Sequence, residues 1–404
     1  MQNELEGTRI AHASTYGGMM TNFGKNIATK LVEMGADLHF IASRQPIYGL
    51  PPPIRELQAL GGTFHGVDMK EGVALGTNLL ALPVMIMLLR RLRVQVLHTR
   101  GAIMGFVGRL AGRIARVPLI LHHQDDLFAR DSRHGQMLQK VLGRIEATIS
   151  RLSHRTFFVS EAVLKDAIQF GFRQEECVLV GNDLHPSFLN GCAETQEHKD
   201  SARRLLFESG VPHGGFVVGS VGRFLKLKGL DTLIRIAEVI CRENPNCYFF
   251  VKGEGPLKHE LEGQIRDSGL LGRVFLCDRW IPMEQIPALY GVFDLFVLPT
   301  RREGFGMVFA EAMAMGVPVV GPRMSPITEV VPEGCGMLVD PENVAAYCRA
   351  ISTLIRNGEE RRALGRRGRW FALDAYGGER SANKVIDVYL EMLKSLARIE
   401  MASR

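Results

Sequence analysis

Hydrophobic and polar positions alternate along the chain in a repeating order of short apolar runs and longer amphipathic stretches. The first run, 8–14, is followed by a loop containing Gly17 and Gly18, an amphipathic stretch over 21–34 that predicts a helix, and a second apolar run at 37–43. Runs rich in Val, Ile and Leu that alternate with helices are typical of a parallel sheet covered on both faces. The opening of the chain therefore predicts a doubly wound α/β domain.

The same order continues through two regions of the chain. In the first, strands are predicted at 62–67, 94–98, 118–122, 155–159 and 176–180, with helices at 51–60, 79–92, 102–115, 136–152 and 160–171. In the second, strands are predicted at 215–221, 247–252, 274–277, 294–298 and 317–320, with helices at 229–242, 256–268, 307–315 and 343–356.

A polar and charged stretch over 190–213 separates these regions, and the domain boundary is predicted there. A length of 404 residues suits two domains, which we assign to 1–189 and 190–377. An amphipathic helix at about 378–404 is expected to pack back on the first domain. Two domains of this kind leave a cleft between them as the default site for a ligand.

The stretch 298–322 carries the densest set of chemical groups. Glu303 stands in a polar loop, a glycine-rich turn follows, and Glu311 lies inside the helix predicted at 307–315. The turn comprises Gly304, Phe305 and Gly306 and continues into Met307 and Val308. Free N–H groups and the helix dipole favour an anion at a helix N-terminus, and carboxylates accept hydrogen bonds from hydroxyl groups. This stretch therefore predicts binding of a sugar that is joined to a phosphate.

Three other loops follow predicted strands of the second domain, which is where open α/β sheets bind ligands. Arg223 and Lys228 precede a predicted helix, and two cations beside a helix N-terminus could hold a diphosphate. Gly253 lies in a Gly-Glu-Gly-Pro turn, and Trp280-Ile281 could lie against a flat base. Each feature also has an ordinary structural explanation: surface cations, a tight turn, and a tryptophan that anchors the core or a domain interface.

Composition indicates an ordinary soluble globular chain, with 46% hydrophobic and 23% charged residues. Seven cysteines without a Cys-x-x-Cys pair favour reduced thiols and a cytoplasmic setting. The N-terminus is polar, and the longest apolar run, 79–89, is shorter than the about 20 residues of a transmembrane helix. Between 77 and 116 stand seven arginines and no acidic residue. This run indicates either a solvated face or attraction to an anionic membrane surface or lipid-linked acceptor.

Together these motifs resemble the retaining family 4 glycosyltransferases, the glycosyl transferases group 1, over nearly the whole chain. That family has the GT-B fold, in which two Rossmann-like doubly wound domains face each other across a cleft. The most specific element is Glu303 followed, after seven residues, by Glu311. Arg223 and Lys228 match the family's cation pair, and Gly17-Gly18 matches its N-terminal glycine loop.

The resemblance implies a role for each matched residue. Arg223 and Lys228 would bind the diphosphate of the donor and offset the charge on the leaving group, with help from the Gly18 backbone. Glu311 would accept hydrogen bonds from the ribose hydroxyls, and Glu303 would bind the transferred sugar. The predicted donor contacts are Gly17, Gly18, Arg223, Lys228, Gly253, Trp280, Ile281, Glu303, Gly304, Phe305, Gly306, Met307, Val308 and Glu311.

Transfer in this family proceeds with retention at the anomeric carbon and needs no metal, so no cofactor is expected beyond the nucleotide sugar itself. The sequence has no Asp-x-Asp and no His/Cys cluster with metal spacing. The family commonly has a histidine near the reaction centre, and here a strand ends His122-His123-Gln124. Simple spacing places Gln124 at the position of that histidine, whereas a one-residue bulge in the strand would place His123 there. We take His123 as the catalytic candidate. His122 could instead have a purely structural role.

We expect a hexose or N-acetylhexosamine donor carried on UDP, with GDP as the alternative, and a saccharide, lipid-linked or small-molecule acceptor. Nucleic acid is not expected, because no recognised module is present. The protein is expected in the cytoplasm, with peripheral contact to the inner face of the membrane. A nucleotide-sugar epimerase or hydrolase of GT-B-like fold and a non-catalytic nucleotide-sugar-binding protein are the alternative functions. A dehydrogenase is disfavoured, because no Gly-x-Gly-x-x-Gly follows the first strand.

Overall fold

A computed structural model describes residues 3–46, 51–70, 78–130, 135–189 and 196–402 of the chain. It separates into two compact units, one formed by Met1–Asp183 with Glu379–Arg404 and the other by Leu184–Gly378. The segment 184–189, which the sequence assigned to the first domain, belongs to the second unit. The carboxyl-terminal helix belongs to the first.

The first unit begins with a parallel sheet. Its strands are β1 (Arg9–Ser14), β2 (Asp37–Ala42), β3 (Thr63–Gly66), β4 (Val96–Arg100), β5 (Leu119–Gln124), β6 (Arg155–Phe158) and β7 (Cys177–Leu179). Its helices are α1 (Gly18–Asn22), α2 (Lys25–Glu33), α3 (Ile54–Ala59), α4 (Ala81–Arg91), α5 (Ala102–Ala115), α6 (Gln136–Ser150) and α7 (Glu161–Phe170). The single helix predicted over 21–34 is thus two helices, which meet at Phe23 and Gly24.

The strands of this unit follow the order β3-β2-β1-β4-β5-β6-β7, and each adjacent pair is parallel. The chain builds outward from β1 to β3 and then crosses back to β4, so the strand order reverses between β1 and β4. Loops at the carboxyl ends of two such strands diverge and leave a crevice for a ligand. The loop with Gly17 and Gly18 and the end of β4 at Arg100 both lie at this position.

The second unit has its own parallel sheet. Its strands are β8 (Phe216–Val221), β9 (Cys247–Lys252), β10 (Val274–Cys277), β11 (Leu295–Val297), β12 (Val319–Pro322) and β13 (Met337–Val339). Its helices are α8 (Gln196–Glu208), α9 (Leu230–Glu243), α10 (Lys258–Asp267), α11 (Ile286–Tyr290), α12 (Met307–Ala314), α13 (Ile327–Val330), α14 (Val344–Arg356) and α15 (Gly358–Tyr376). The order β10-β9-β8-β11-β12-β13 reverses between β8 and β11.

The last helix, α16 (Arg380–Ala402), packs on one face of the first sheet. Its buried side chains Val385 and Tyr389 join an apolar cluster with Leu31 of α2 and Phe40 of β2. Met85 of α4, by contrast, belongs to a separate cluster that includes residues of α5. Helices therefore cover both faces of the sheet, as the uniformly apolar strands require.

Two of the longer helices of the second unit were not predicted. The stretch 190–213 was interpreted as a polar boundary, but α8 occupies most of its described part and buries only Ala202 and Leu206. The buried residues of α15 are Leu364, Gly365, Gly368 and Ala372. Sparse or small buried residues give a weak amphipathic signal, which explains why both helices were missed.

The described cysteines are all free thiols. Within the described residues, every helix is too short or too polar to cross a lipid bilayer.

Candidate functional site

The loops at the carboxyl ends of β8 and β11 carry charged residues that were predicted to bind the donor. These strands are parallel neighbours, so the loops that follow Val221 and Val297 leave the same edge of the sheet. The strand order reverses between them, which is where open α/β sheets place a ligand. Arg223 and Lys228 belong to the first loop, and Glu303 belongs to the second.

An ion pair joins the two loops. Lys228 Nζ donates to Glu303 Oε1 at 2.7 Å, and the Glu303 residue is only 9% exposed. The backbone repeats this connection, because Thr300 Oγ1 and the Arg301 amide both donate to the Leu227 carbonyl, at 3.0 and 2.7 Å. The structure thus brings together a cation and a carboxylate that are distant in sequence and were predicted for the same ligand.

Arg301 braces the second loop against α9, and its role was missed in the sequence. Its guanidinium donates two hydrogen bonds to the Asp231 carboxylate at 2.8 and 2.7 Å, and it also bonds Glu342. Burial alone would raise the pKa of Asp231, but the hydrogen bonds from Arg301 lower it overall. Arg301 and Asp231 are 70 residues apart in the sequence, so no local sequence pattern predicts their ion pair.

Helix α12 begins directly after the second loop. Gly306 has a φ of +102° and precedes Met307, the first residue of the helix, so the turn depends on a glycine here. The position of Glu303 before this turn and of Glu311 within α12 matches the prediction from the motif. Backbone N–H groups at the start of α12 therefore lie in the same short segment as both carboxylates.

Glu311 has a neighbour that the sequence did not reveal. The Tyr290 hydroxyl, at the end of α11, donates to Glu311 Oε2 at 2.7 Å. Burial raises the pKa of Glu311 to about 7, and the hydrogen bond from Tyr290 partly opposes that rise. Tyr290 itself is fully buried. Glu311 is consequently held in place and titrates near neutrality.

The Gly253 turn follows β9 and packs against the first loop. The Phe224 amide donates to the Glu254 carbonyl at 2.7 Å, which sets this turn beside Arg223. Burial raises the pKa of Glu254, against the opposing effects of Lys252 and Arg223. The predicted contacts Arg223 and Gly253 therefore lie in adjoining loops.

Trp280 and Ile281 lie on a more peripheral loop. They follow β10, which stands at the far side of β9 from β8 in the sheet. Trp280 is 61% exposed, so the alternative that it anchors a core is wrong. Near it, Lys258 Nζ lies 2.5 Å from Asp278 Oδ2 and ties the loop to α10.

In the first unit, Gly17 and Gly18 follow β1, and both are buried. Gly17 is the residue that precedes α1, with Pro53 and Leu57 packed around it. A Cβ on Gly18 would lie 2.2 Å from the Tyr16 ring. The backbone here is thus closely surrounded, and a side chain at either position would displace its neighbours.

Adjacent histidines of β5 point to opposite faces of the sheet, as strand geometry requires. His122 lies 2.9 Å from Thr99 Oγ1 through Nδ1 and 3.0 Å from Gln124 Oε1 through Nε2, so both ring nitrogens have polar partners. This geometry matches the structural alternative for His122. His123 lies on the other face, where neither ring nitrogen has a hydrogen-bond partner among the described residues. The pairing of β5 with β4 and β6 is continuous from Leu119 to Gln124, so the strand lacks the one-residue bulge that would select His123 by spacing. Gln124, which simple spacing selects, donates to the Asp126 carbonyl at 2.6 Å.

The run of seven arginines is divided by the fold. Arg100 and Arg109 are buried, and Arg100 pairs with Asp125 through contacts of 2.5 to 3.1 Å. The other five, which are Arg90, Arg91, Arg93, Arg113 and Arg116, are exposed. Among the described residues, His, Cys, Asp and Glu side chains form no group of three that could hold a metal ion.

Two family models match the chain, one in each unit. Residues 17–183 match the Glycosyl transferase 4-like domain, and residues 202–370 match Glycosyl transferases group 1. Together these matches cover most of the chain.

Curated relatives agree with the family models. D-inositol 3-phosphate glycosyltransferase of Corynebacterium urealyticum is 26% identical over 92% of this chain and 90% of that protein. GDP-mannose-dependent alpha-(1-6)-phosphatidylinositol monomannoside mannosyltransferase of Mycolicibacterium smegmatis is 35% identical, over 39% of this chain and 43% of that protein.

Solved structures agree on the fold. The crystal structure of Anabaena Alr3699/HepE in complex with UDP and glucose superposes with a TM-score of 0.77 at 18% identity, covering 95% of this chain and 99% of that one. Sucrose-phosphate synthase from Thermosynechococcus elongatus superposes with a TM-score of 0.74 at 18% identity, covering 96% and 100%. The resemblance inferred from the motifs is confirmed: the chain belongs to the family 4, or group 1, glycosyltransferases and has their GT-B fold.

Proposed function

We propose that this glycosyltransferase moves a hexose or N-acetylhexosamine from a nucleotide diphosphate sugar to an acceptor hydroxyl. The observation that carries the proposal is the 2.7 Å ion pair between Lys228 and Glu303, at the point where the second sheet reverses its strand order. A cation, a carboxylate and the start of α12 converge there. A sugar diphosphate has complementary groups, with negative phosphates beside hydroxyls.

Each group has a distinct proposed task. Arg223 and Lys228 bind the diphosphate and stabilise the charge that grows on it as the sugar departs. Glu303 accepts hydrogen bonds from the sugar, with Gly304, Phe305, Gly306, Met307 and Val308 lining its pocket, and Glu311 accepts them from the ribose. Gly253, Trp280 and Ile281 contact the nucleotide, and Gly17 and Gly18 offer backbone N–H groups to a phosphate oxygen. His123 is proposed to hydrogen-bond at the reaction centre.

We propose retention at the anomeric carbon, with departure of the diphosphate and attack by the acceptor on the same face of the sugar. The neighbours of Glu303 support this route. The ion pair with Lys228 places the carboxylate beside a cation that would stabilise the departing diphosphate. Charge stabilisation by Arg223 and Lys228 would serve in place of a metal ion, so we propose that transfer proceeds without one.

UDP is the proposed carrier, supported by the structural neighbour that was crystallised with UDP and glucose. GDP is the alternative, supported by the GDP-mannose-dependent relative. The names of two relatives refer to an inositol phosphate and to a phosphatidylinositol monomannoside, which are anionic. We propose an acceptor that is a small cyclitol, a saccharide or a lipid-linked saccharide, reached from the cytoplasm with peripheral contact to the inner face of the membrane.

A nucleotide-sugar panel tests the donor. We expect one UDP-sugar to raise the melting temperature of the protein, and to do so equally in the presence of a chelator. Arg223→Ala and Glu311→Ala should each abolish most of this shift and severely reduce transfer, because each removes a group that binds the donor. Arg242→Ala, at an exposed residue of α9 that pairs only with Glu238 on its own helix in the described structure, is the matched control.

Two results would contradict the proposal. A protein that no nucleotide sugar stabilises is not a transferase of this kind. Release of free sugar from the donor at the same rate with and without acceptors would instead identify a hydrolase.

A further inference from the structure

Three buried histidines stand side by side on one face of the first sheet. His12 on β1 and His98 on β4 are register partners, and His123 on β5 is the register partner of Arg100. Successive residues of a strand point to opposite faces, so the three imidazoles share the face that His122 does not. All three are at least nine-tenths buried. Buried histidines in one layer are unusual enough to need a reason.

A tyrosine from the far end of the chain joins two of these rings. The hydroxyl of Tyr389, on α16, lies 3.0 Å from His12 Nε2 and 2.8 Å from His98 Nδ1. A hydroxyl has one proton, so it donates to one ring and accepts an N–H from the other. The tautomers of His12 and His98 are therefore coupled through Tyr389.

The arrangement continues from His98 to His123. Their rings stack with centroids 5.7 Å apart and planes inclined by only 13°. Nε2 of His98 and both ring nitrogens of His123 have no hydrogen-bond partner within the described residues, although they are buried. Such nitrogens are costly to bury, so a ligand group that reaches them would be favoured.

The same two rings line a small cavity. Its other lining residues include Met20 and Gly24, from the α1–α2 segment, and Arg100, and its volume is about 20 Å³, enough for a group of the size of one hydroxyl. Burial, assisted by Arg100, lowers the pKa of His98 and His123 well below the ordinary range. A neutral His123 ring can offer one donor and one acceptor to a hydroxyl, whereas His98 can offer only Nε2, because its Nδ1 bonds Tyr389.

We propose that Tyr389 is a positioning residue for the transfer reaction. It fixes the tautomer and orientation of His98, and His98 in turn holds His123 flat against it with a ring nitrogen presented to a hydroxyl of the sugar or the acceptor. This inference rests on the proposed glycosyl transfer and on the role of His123 in it. The carboxyl-terminal helix is then part of the catalytic apparatus as well as of the fold.

Tyr389→Phe tests the proposal, because it keeps the ring and removes only the hydroxyl. We expect kcat to fall about tenfold, the effect of one lost hydrogen bond, while the donor-induced rise in melting temperature is unchanged. Tyr347→Phe is the matched control: that tyrosine is also fully buried, and its hydroxyl has no hydrogen-bond partner among the described residues. It should leave kcat unaltered.

A second measurement needs neither activity nor acceptor. Nitrogen-15 spectra of the histidine rings should show one tautomer each for His12 and His98 in the wild-type protein. In Tyr389→Phe they should show a changed or mixed tautomer for His98 and a shifted His123 ring. Unchanged His98 and His123 signals, or an unchanged kcat, would overturn the proposal. If the wild-type protein transferred no sugar, the spectra alone would still decide whether Tyr389 sets the tautomers.

Discussion

At the residue scale, the fold shifts the pKa of Glu311 into the neutral pH range. Burial raises its pKa from 4.5 to about 7, so the folded protein binds a proton there that the unfolded chain releases. Between these two pH values the folded state therefore binds more protons than the unfolded state, and its stability falls as the pH rises. Above about pH 7 the contribution levels off.

Glu311→Gln removes that titration. We expect the melting temperature of the variant to fall less than that of the wild-type protein as the pH rises from about 5 to about 7, because a neutral amide replaces a carboxyl that must lose its proton. Calorimetry across this range makes the comparison. Glu359→Gln, at an exposed position of α15, is the control and should follow the wild-type curve. Parallel curves for Glu311→Gln and the wild type would refute the assigned pKa shift.

Some of these residues could be predicted from sequence and others could not. Glu303, Glu311, Arg223 and Lys228 stand in short motifs, and the resemblance of those motifs to the family implies their chemistry. The hydrogen-bond partners found in the structure do not stand in such motifs. Tyr290, the partner of Glu311, precedes it by two elements, and Tyr389, the partner of His98, comes from near the carboxyl end of the chain. Hydrogen bonds between distant segments depend on the packed fold, so no local sequence pattern predicts them.

At the scale of the elements, the site depends on how closely the loops after β8, β9 and β11 approach each other. A Cβ on Gly229, which has a φ of +64°, would lie 1.9 Å from the Pro299 carbonyl oxygen. A Cβ on Gly253 would lie 1.9 Å from the Gly222 carbonyl oxygen. Both obstacles are backbone atoms, which cannot rotate away as a side chain can. Glycine is therefore required at each position for the loops to meet.

Gly229→Ala should lower the melting temperature by several degrees and weaken donor binding, because the loop of Glu303 must shift away from that of Lys228. Gly263→Ala is the matched control: its Cβ would meet nothing within 4 Å in the middle of α10. Alanine is the better helix former by about 1 kcal/mol, so this variant should be as stable as the wild type or more so. Equal melting temperatures and equal donor affinities for the two variants would contradict the close approach of the loops.

Most strands and the longer amphipathic helices could be predicted from the apolar pattern, because each buries a continuous face. The exceptions share a physical cause. Helix α8 buries few apolar side chains, α15 relies partly on glycine and alanine for contact, and β13 has only three residues. Where burial is slight or the buried residues are small, the hydrophobic period that identifies an element is faint.

At the scale of the whole molecule, the net charge of +6 is distributed unevenly. Helix α4 carries exposed Val84 and Met87 beside Arg90 and Arg91. On α6, exposed Met137, Val141 and Ile145 recur at intervals of four residues, and Lys140 and Arg144 are exposed among them. Apolar side chains interspersed with cations, as on these two helices, suit the interface of an anionic bilayer.

Replacing Met137, Val141 and Ile145 together by serine should weaken binding to vesicles that contain anionic lipid by about tenfold or more, because each side chain would otherwise transfer apolar area from water into the interface. Co-sedimentation measures this binding, which should also fall at high salt and be weak on neutral phosphatidylcholine, since the arginines supply the attraction. Leu271→Ser, at an exposed apolar residue of the second unit, is the control. Equal binding of the triple variant and the wild type would show that the apolar residues of α6 do not enter the membrane.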